Sequence, residues 1–234
     1  MNYLYLLLNL GSLIIPFIFS FHPKLKFYRL WKPLFTGILI SMLLFIPWDI
    51  IFTKQGIWGF NDTYFLGIKL FHLPIEEWLF FICIPYACVF THYALLYYFP
   101  NLKLSKENTK IISYLFILIC IVLAFANYNK WYSVINFSLA ALLITFVIHI
   151  NSELLCSFYL TFLVMLIPFF IVNGILTGSF IEHEVVWYNN SENLNIRLFT
   201  IPIEDAVYAF SLILLNLFIM DLIGTKKTSV INHQ

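Results

Sequence analysis

The sequence predicts an all-α integral membrane protein of about seven transmembrane helices, with two parallel three-helix repeats joined by a connecting helix. Three observations predict it. Of 234 residues, 62% are hydrophobic and only 11% are charged, where an ordinary soluble domain carries about 25%. Seven apolar runs approach the ~20 residues that an α-helix needs to cross a bilayer. A segment ending in paired acidic residues also recurs 128 positions further along the chain. The first two exclude a soluble enzyme, a disordered chain and a nucleic-acid binder. A formal charge of +1 implies no strongly acidic or basic partner.

The apolar runs cover 3–20, 31–53, 74–98, 110–126, 131–150, 155–177 and 202–223. The first has no basic leading region and no small-residue cleavage site before His22, so it reads as a span and not as a signal peptide. One membrane domain takes up the chain. Repeat one covers 1–98, a connector with span four 99–130, repeat two 131–223, and a tail 224–234. Nine of the thirteen basic residues follow spans one, three and seven: Lys24, Lys26, Arg29, Lys32, Lys103, Lys106, Lys110, Lys226 and Lys227. The positive-inside rule then puts the amino terminus outside a cell membrane and the carboxyl terminus in the cytoplasm. The loops 54–73 and 178–201 face outward in that orientation.

The repeat is written in residues 68–76, Ile-Lys-Leu-Phe-His-Leu-Pro-Ile-Glu, and 196–204, Ile-Arg-Leu-Phe-Thr-Ile-Pro-Ile-Glu. The next position is acidic in both, Glu77 and Asp205. Upstream, Trp58 is matched to Trp187 with one residue slipped, and Asp49 and Thr53 to Asn173 and Thr177 at an offset of 124. The change in offset implies extra residues in the second loop, around Glu182 to Glu184. Equivalent helices lie four spans apart, so the repeats run in the same direction and are related by an axis along the membrane normal. Both acidic pairs therefore reach the same side of the bilayer.

Asp49, Glu76, Glu77, Glu204 and Asp205 lie in or at the mouth of spans. Carboxylates in hydrocarbon are costly and mark functional sites. A proline followed by acidic residues also begins many helices, but duplication with the same approach sequence favours function. Residues four apart share a helix face, which places Phe80 below Glu76 and Tyr208 below Glu204. The six histidines form no ligand-spaced cluster, and Cys83, Cys88, Cys120 and Cys156 are scattered through apolar runs as packing residues. No metal and no cofactor is expected. Desolvation and a neighbouring acid favour a protonated carboxyl, while a helix amino terminus favours the anion. A protonated acid, a nearby carboxylate and aromatic rings together suit proton transfer to and from an alkene through a cation.

The paired Pro-Ile-Glu-Glu and Pro-Ile-Glu-Asp motifs, with Trp78-Leu79-Phe80-Phe81 and Trp48-Asp49, resemble those of the membrane-integral lycopene cyclases of fungal, archaeal and heterodimeric bacterial type. The likeness covers nearly the whole chain and matches the fused form, with two half-cyclases on one polypeptide. It implies a lycopene β-cyclase, an isomerase that protonates a terminal double bond, closes the ring on the resulting cation and releases a proton to leave a β-ionone ring. It also implies a lipophilic carotenoid substrate within the lipid bilayer, with other carotenoid-pathway enzymes as partners and no nucleic acid.

Carried over by motif, Glu76, Glu77, Glu204 and Asp205 are the proton-transfer candidates, with Glu76 and Glu204 first because both repeats keep glutamate there. Asp49 and Asn173 are candidates for orienting the acids, and Trp48, Trp58, Phe80, Trp187 and Tyr208 for lining the polyene pocket. Repeat two departs from repeat one at Val172 for Trp48, Asn173 for Asp49, Ala206 for Trp78 and Thr200 for His72, so equal roles are not expected. Two other readings compete. One is a sugar carrier of the SWEET type, with helix breaks at Pro16, Pro47, Pro85 and Pro168; the other is a non-catalytic membrane scaffold.

Overall fold

A backbone in hydrocarbon has no water to bond, so long apolar runs resolve as helices whose amides pair internally. The computed structural model describes residues 3–231, with side chains up to Gly224. Its helices are α1 (Leu4–Phe19), α2 (Trp31–Gln55), α3 (Ile75–Tyr98), α4 (Lys106–Ala126), α5 (Trp131–Ile150), α6 (Ser152–Leu176) and α7 (Ile203–Ile231). Six are long and apolar enough to cross a membrane. The exception is α1, whose 16 residues reach about 24 Å at 1.5 Å per residue.

Local chemistry sets the ends. The Ser105 hydroxyl accepts from the Asn108 N–H at 3.1 Å, so α4 starts at Lys106, ahead of the expected 110. Gly56, at φ +70°, closes α2 in the left-handed conformation that glycine adopts without strain. The expected tail 224–234 begins as a continuation of α7 as far as Ile231, and 232–234 lie outside the described residues.

The two halves repeat one packing scheme. Helix α1 packs on α3 as α5 packs on α7, and α2 crosses to α7 as α6 crosses to α3. The connector α4 packs mainly on α5. Buried Leu34, Phe158, Phe210 and Leu214 belong to the largest apolar core.

The two long loops meet above the bundle. Strand β1 (Trp58–Phe60) pairs antiparallel with β4 (Val186–Tyr188), and short hairpins β2 (Lys69–Leu70)–β3 (Leu73–Pro74) and β5 (Arg197–Leu198)–β6 (Ile201–Pro202) lead into α3 and α7. Their bonds are reciprocal. The Asn61 N–H donates to the Val185 carbonyl at 2.9 Å, and the Asn189 N–H to the Ile57 carbonyl at 2.8 Å. Tyr5 N–H bonds the Tyr64 carbonyl, and Tyr132 N–H the Glu192 carbonyl. Such exchange is the mark of a two-fold relation, in which one surface meets its own copy.

The register corrects one sequence match. Gly59 pairs with Trp187, and Trp58 with Tyr188. The two-fold and the constant 128 offset therefore make Trp187 the counterpart of Gly59, while Trp58 corresponds to Val186. The Trp187 ring lies over Gly59, where an added Cβ would come within 2.3 Å of it. Only glycine fits beneath that indole.

Candidate active site

A cavity of about 440 Å³ lies between α1, α3, α6 and α7, roofed by residues of β1 and β4. Its wall is mostly aliphatic and aromatic, and three carboxyl groups open into it: Asp49 from α2, Glu77 from α3 and Asp205 from α7. All three residues are nearly inaccessible to solvent, at 2%, 8% and 6% exposure. The acids gather beneath the β1–β4 roof because Glu77 and Asp205 open their helices while Asp49 lies one to two turns from the end of α2.

The two acid positions are built on one plan with different donors. In repeat two, Asp205 accepts three hydrogen bonds: Tyr132 Oη at 2.6 Å, Asn173 Nδ2 at 2.8 Å and Tyr188 Oη at 2.9 Å. In repeat one, Glu77 accepts a hydrogen bond from Tyr5 Oη, the counterpart of Tyr132. The other two donors are replaced. Phe60 stands where repeat two has Tyr188, and Asp49 where it has Asn173. Asp49 and Asp205 both lie within charge–charge range of Glu77. Asp49 Oδ1 accepts from Tyr208 Oη at 3.2 Å, a donor from the other repeat. Burial and the Asp205 carboxylate both push the Tyr188 hydroxyl, on the β4 loop, well above the usual phenol range. It remains a donor at physiological pH.

Glu76 and Glu204, ranked first from sequence, do not line the cavity. Each is fully buried where its loop meets its helix. Glu76 Oε1 accepts from the Leu66 N–H at 2.8 Å, and Glu204 Oε1 from the Leu194 N–H and Ser133 Oγ, both at 2.6 Å. Their own carbonyls accept from Asn9 Nδ2 and Asn136 Nδ2 at 2.8 and 2.6 Å. The physical reason is rotation. One residue along an α-helix turns the side chain by about 100°, so Glu77 and Asp205 face the cavity while the preceding glutamates face the loops. The cavity rings Phe80 and Tyr208 accordingly pair with Glu77 and Asp205, three residues earlier, and not with the acids four residues earlier.

The other candidates divide. Trp58, Phe80, Asn173 and Tyr208 line the cavity beside the acids. Trp48 does not. It packs outside, stacked on Phe45 at 5.6 Å and edge-on to Tyr208 at 5.3 Å. Trp187 is 39% exposed and also lies off the cavity, as its match to Gly59 requires.

Tyr5, Tyr132 and Tyr188, which hold the acids, carry a signal the sequence reading missed. Tyr5-Leu-Leu-Leu-Asn9 recurs as Tyr132-Ser-Val-Ile-Asn136, extending the duplication into the first helix of each repeat. Phe60-Asn61 likewise recurs as Tyr188-Asn189 at the 128 offset. The rings repeat as well: Tyr5 stacks on Phe60 at 19° and Tyr132 on Tyr188 at 16°. Among the described residues no group of three or more His, Cys, Asp and Glu side chains is placed to hold a metal ion.

Fold and site together define a multi-pass helical membrane protein with an internal duplication and a carboxyl cluster in an apolar cavity. The lycopene cyclase family profile matches the chain twice, over 2–95 and 129–223, and the chain belongs to that family. The two matched regions are the two repeats, and the intervening stretch holds α4. The family acts on carotenoids, and the apolar helices fit a lipophilic substrate held in a membrane. Searches of curated proteins and of solved structures found no match.

Proposed function

We propose that this protein is a lycopene β-cyclase that closes the linear ends of the polyene into β-ionone rings by proton transfer inside the membrane, with no net redox change. The observation that carries this reading is the grouping of Asp49, Glu77 and Asp205 at the roofed end of an otherwise apolar, ring-lined cavity. A hydrocarbon offers nothing for carboxyl groups to bind, so acids facing it suit proton chemistry better than recognition.

Donor counts divide the roles. Asp205, with three donors on its two oxygens, serves as the carboxylate that stabilises the positive charge of the ring-closing intermediate, together with Tyr208 and Phe80. The Asp49–Glu77 pair holds one proton between two acids, because two adjacent buried carboxylates repel. The protonated member delivers its proton to the terminal double bond, leaving a tertiary cation. The next double bond attacks that cation to close the ring. The partner carboxylate then removes a ring proton, so the pair finishes each turnover with the single proton it began with. Glu76 and Glu204 act one step back, by fixing the loops and helix starts that aim the cavity acids. The protein sits in the cell membrane with its amino terminus outside, which puts the acid end of the cavity toward the exterior.

Expression in lycopene-accumulating bacteria tests the activity. The expected result is a change from red to orange-yellow, with β-carotene on chromatography. Unchanged lycopene in the presence of membrane-inserted protein would overturn the proposal.

A further inference from the structure

The acids occupy only one end of the cavity. From Glu77 its wall continues along α3 through Ile84 and Cys88 to Thr91, and along α6 from Asn173 back to Phe162. The fourteen residue steps of α3 from Glu77 to Thr91 correspond to about 20 Å at 1.5 Å per residue, two thirds of a ~30 Å hydrocarbon core. It is an apolar shaft with carboxyl groups at its roofed end.

One side of this shaft opens outward. On α1 the residues that line it include Leu7 and Ile15, more than 60% exposed, and Gly11, which is also exposed. On α6 they include Pro168, exposed, and half-buried Phe169 and Val172. These residues belong to cavity and outer surface at once, so the α1–α6 seam is its mouth. At Gly11 an added Cβ would meet nothing within 4 Å. A glycine inside a helix is destabilising relative to alanine, and here no close packing requires it. Open space is what it provides.

The two-fold supplies a control within the same molecule. The counterpart of the α1–α6 seam lies between α5 and α2, where Trp48 replaces Val172 and Phe45 matches Phe169. There the seam is filled: Phe45 is fully buried against Trp48 and Tyr208, and Leu139 packs on the same apolar cluster. None of Phe45, Trp48 and Leu139 reaches the cavity.

We infer that the polyene enters sideways from the bilayer through the single seam between α1 and α6, held open at Gly11, and that Trp48 seals the equivalent seam of the other repeat. The occupant is the linear, apolar end of a carotenoid, since the seam has lipid-facing walls and leads to the acids. This rests on the cyclase reading above. Repeat one thus supplies the open wall at α1, and its own α2 closes the second route.

The test compares wild type, G11F, V172W and I14F in lycopene-accumulating membranes, with membrane-inserted protein quantified for each. Gly11→Phe fills the mouth at a position with free space, and Val172→Trp copies the residue that closes the other seam. Ile14 is 56% exposed on the same helix and does not line the cavity. At least a tenfold fall in β-carotene per protein is expected for G11F and V172W, with I14F unchanged. In liposomes, G11A is expected to need more lycopene for half-maximal rate while keeping the maximal rate. Wild-type rates in G11F overturn the portal; where G11F does not accumulate, V172W decides on the same terms. An inert wild type fails the cyclase proposal itself, a result distinct from an active wild type with an active G11F.

Discussion

The two acid positions share one origin and differ in what surrounds them. Asp205 is held by Tyr132, Asn173 and Tyr188, while Glu77 keeps only the tyrosine at the equivalent place, with Asp49 standing where repeat two has the Asn173 amide. Two differences between repeats, Phe60 for Tyr188 and Asp49 for Asn173, set a carboxylate held by three donors against an acid with a second acid beside it. The buried glutamates just before them changed little, because their task of tying loop amides to a helix start is the same in both halves. Duplication preserved the frame and allowed the chemistry to diverge. On the proposed mechanism, identity between repeats marks the shared frame and difference marks the reacting groups.

That contrast can be broken from either side. Replacing Glu77 by Gln removes a proton carrier while keeping shape, and cyclisation is expected to fall by about 10²–10⁴, the usual contribution of a general acid or base. D49N is expected to fall comparably, because it turns the acid pair into the acid–amide arrangement of repeat two; pigment chromatography normalised to inserted protein measures both. D205N, which removes the cation-stabilising charge, is expected to lose about 10²-fold by analogy with other preorganised electrostatic groups. Y188F removes one of three donors and copies repeat one. A hydrogen bond to a charged group is worth about 1.5–3 kcal/mol, so a loss of roughly ten- to a hundredfold is expected. At the small end, E76Q and E204Q keep an acceptor for the loop amide and should cyclise within a few-fold of wild type. N9A and N136A instead leave buried carbonyls short of a donor, which shows as lower thermal stability in detergent.

Much of this was legible in the chain, and the rest was hidden for physical reasons. Apolar length gave the helices, down to α5 at Trp131–Ile150, and the 128 offset gave the repeat. Identity matching then misled at Trp187, because a tryptophan is conspicuous and a glycine is not. The constant offset, with Asn61 against Asn189, would have shown the strand register. The choice between adjacent acids was invisible for a different reason. In Glu76-Glu77 one residue of rotation decides which carboxyl meets the cavity, and that is fixed by how α3 packs on α1, far away in sequence. The donors Tyr5 and Tyr132 come from helices more than 70 residues away from the acids they hold. Their duplicated Tyr-x-x-x-Asn pattern was the available clue.

On the proposed mechanism the cavity acids, and not the identical glutamates beside them, move the proton. Measuring β-carotene formed per inserted protein by E76Q and E77Q side by side tests it most directly, since the two variants differ by one position and by no chemistry. The cavity-acid mechanism predicts near-normal cyclisation by E76Q and loss of at least a hundredfold in E77Q, the lower bound for a group that carries the proton. Loss in E76Q with activity kept in E77Q would contradict it.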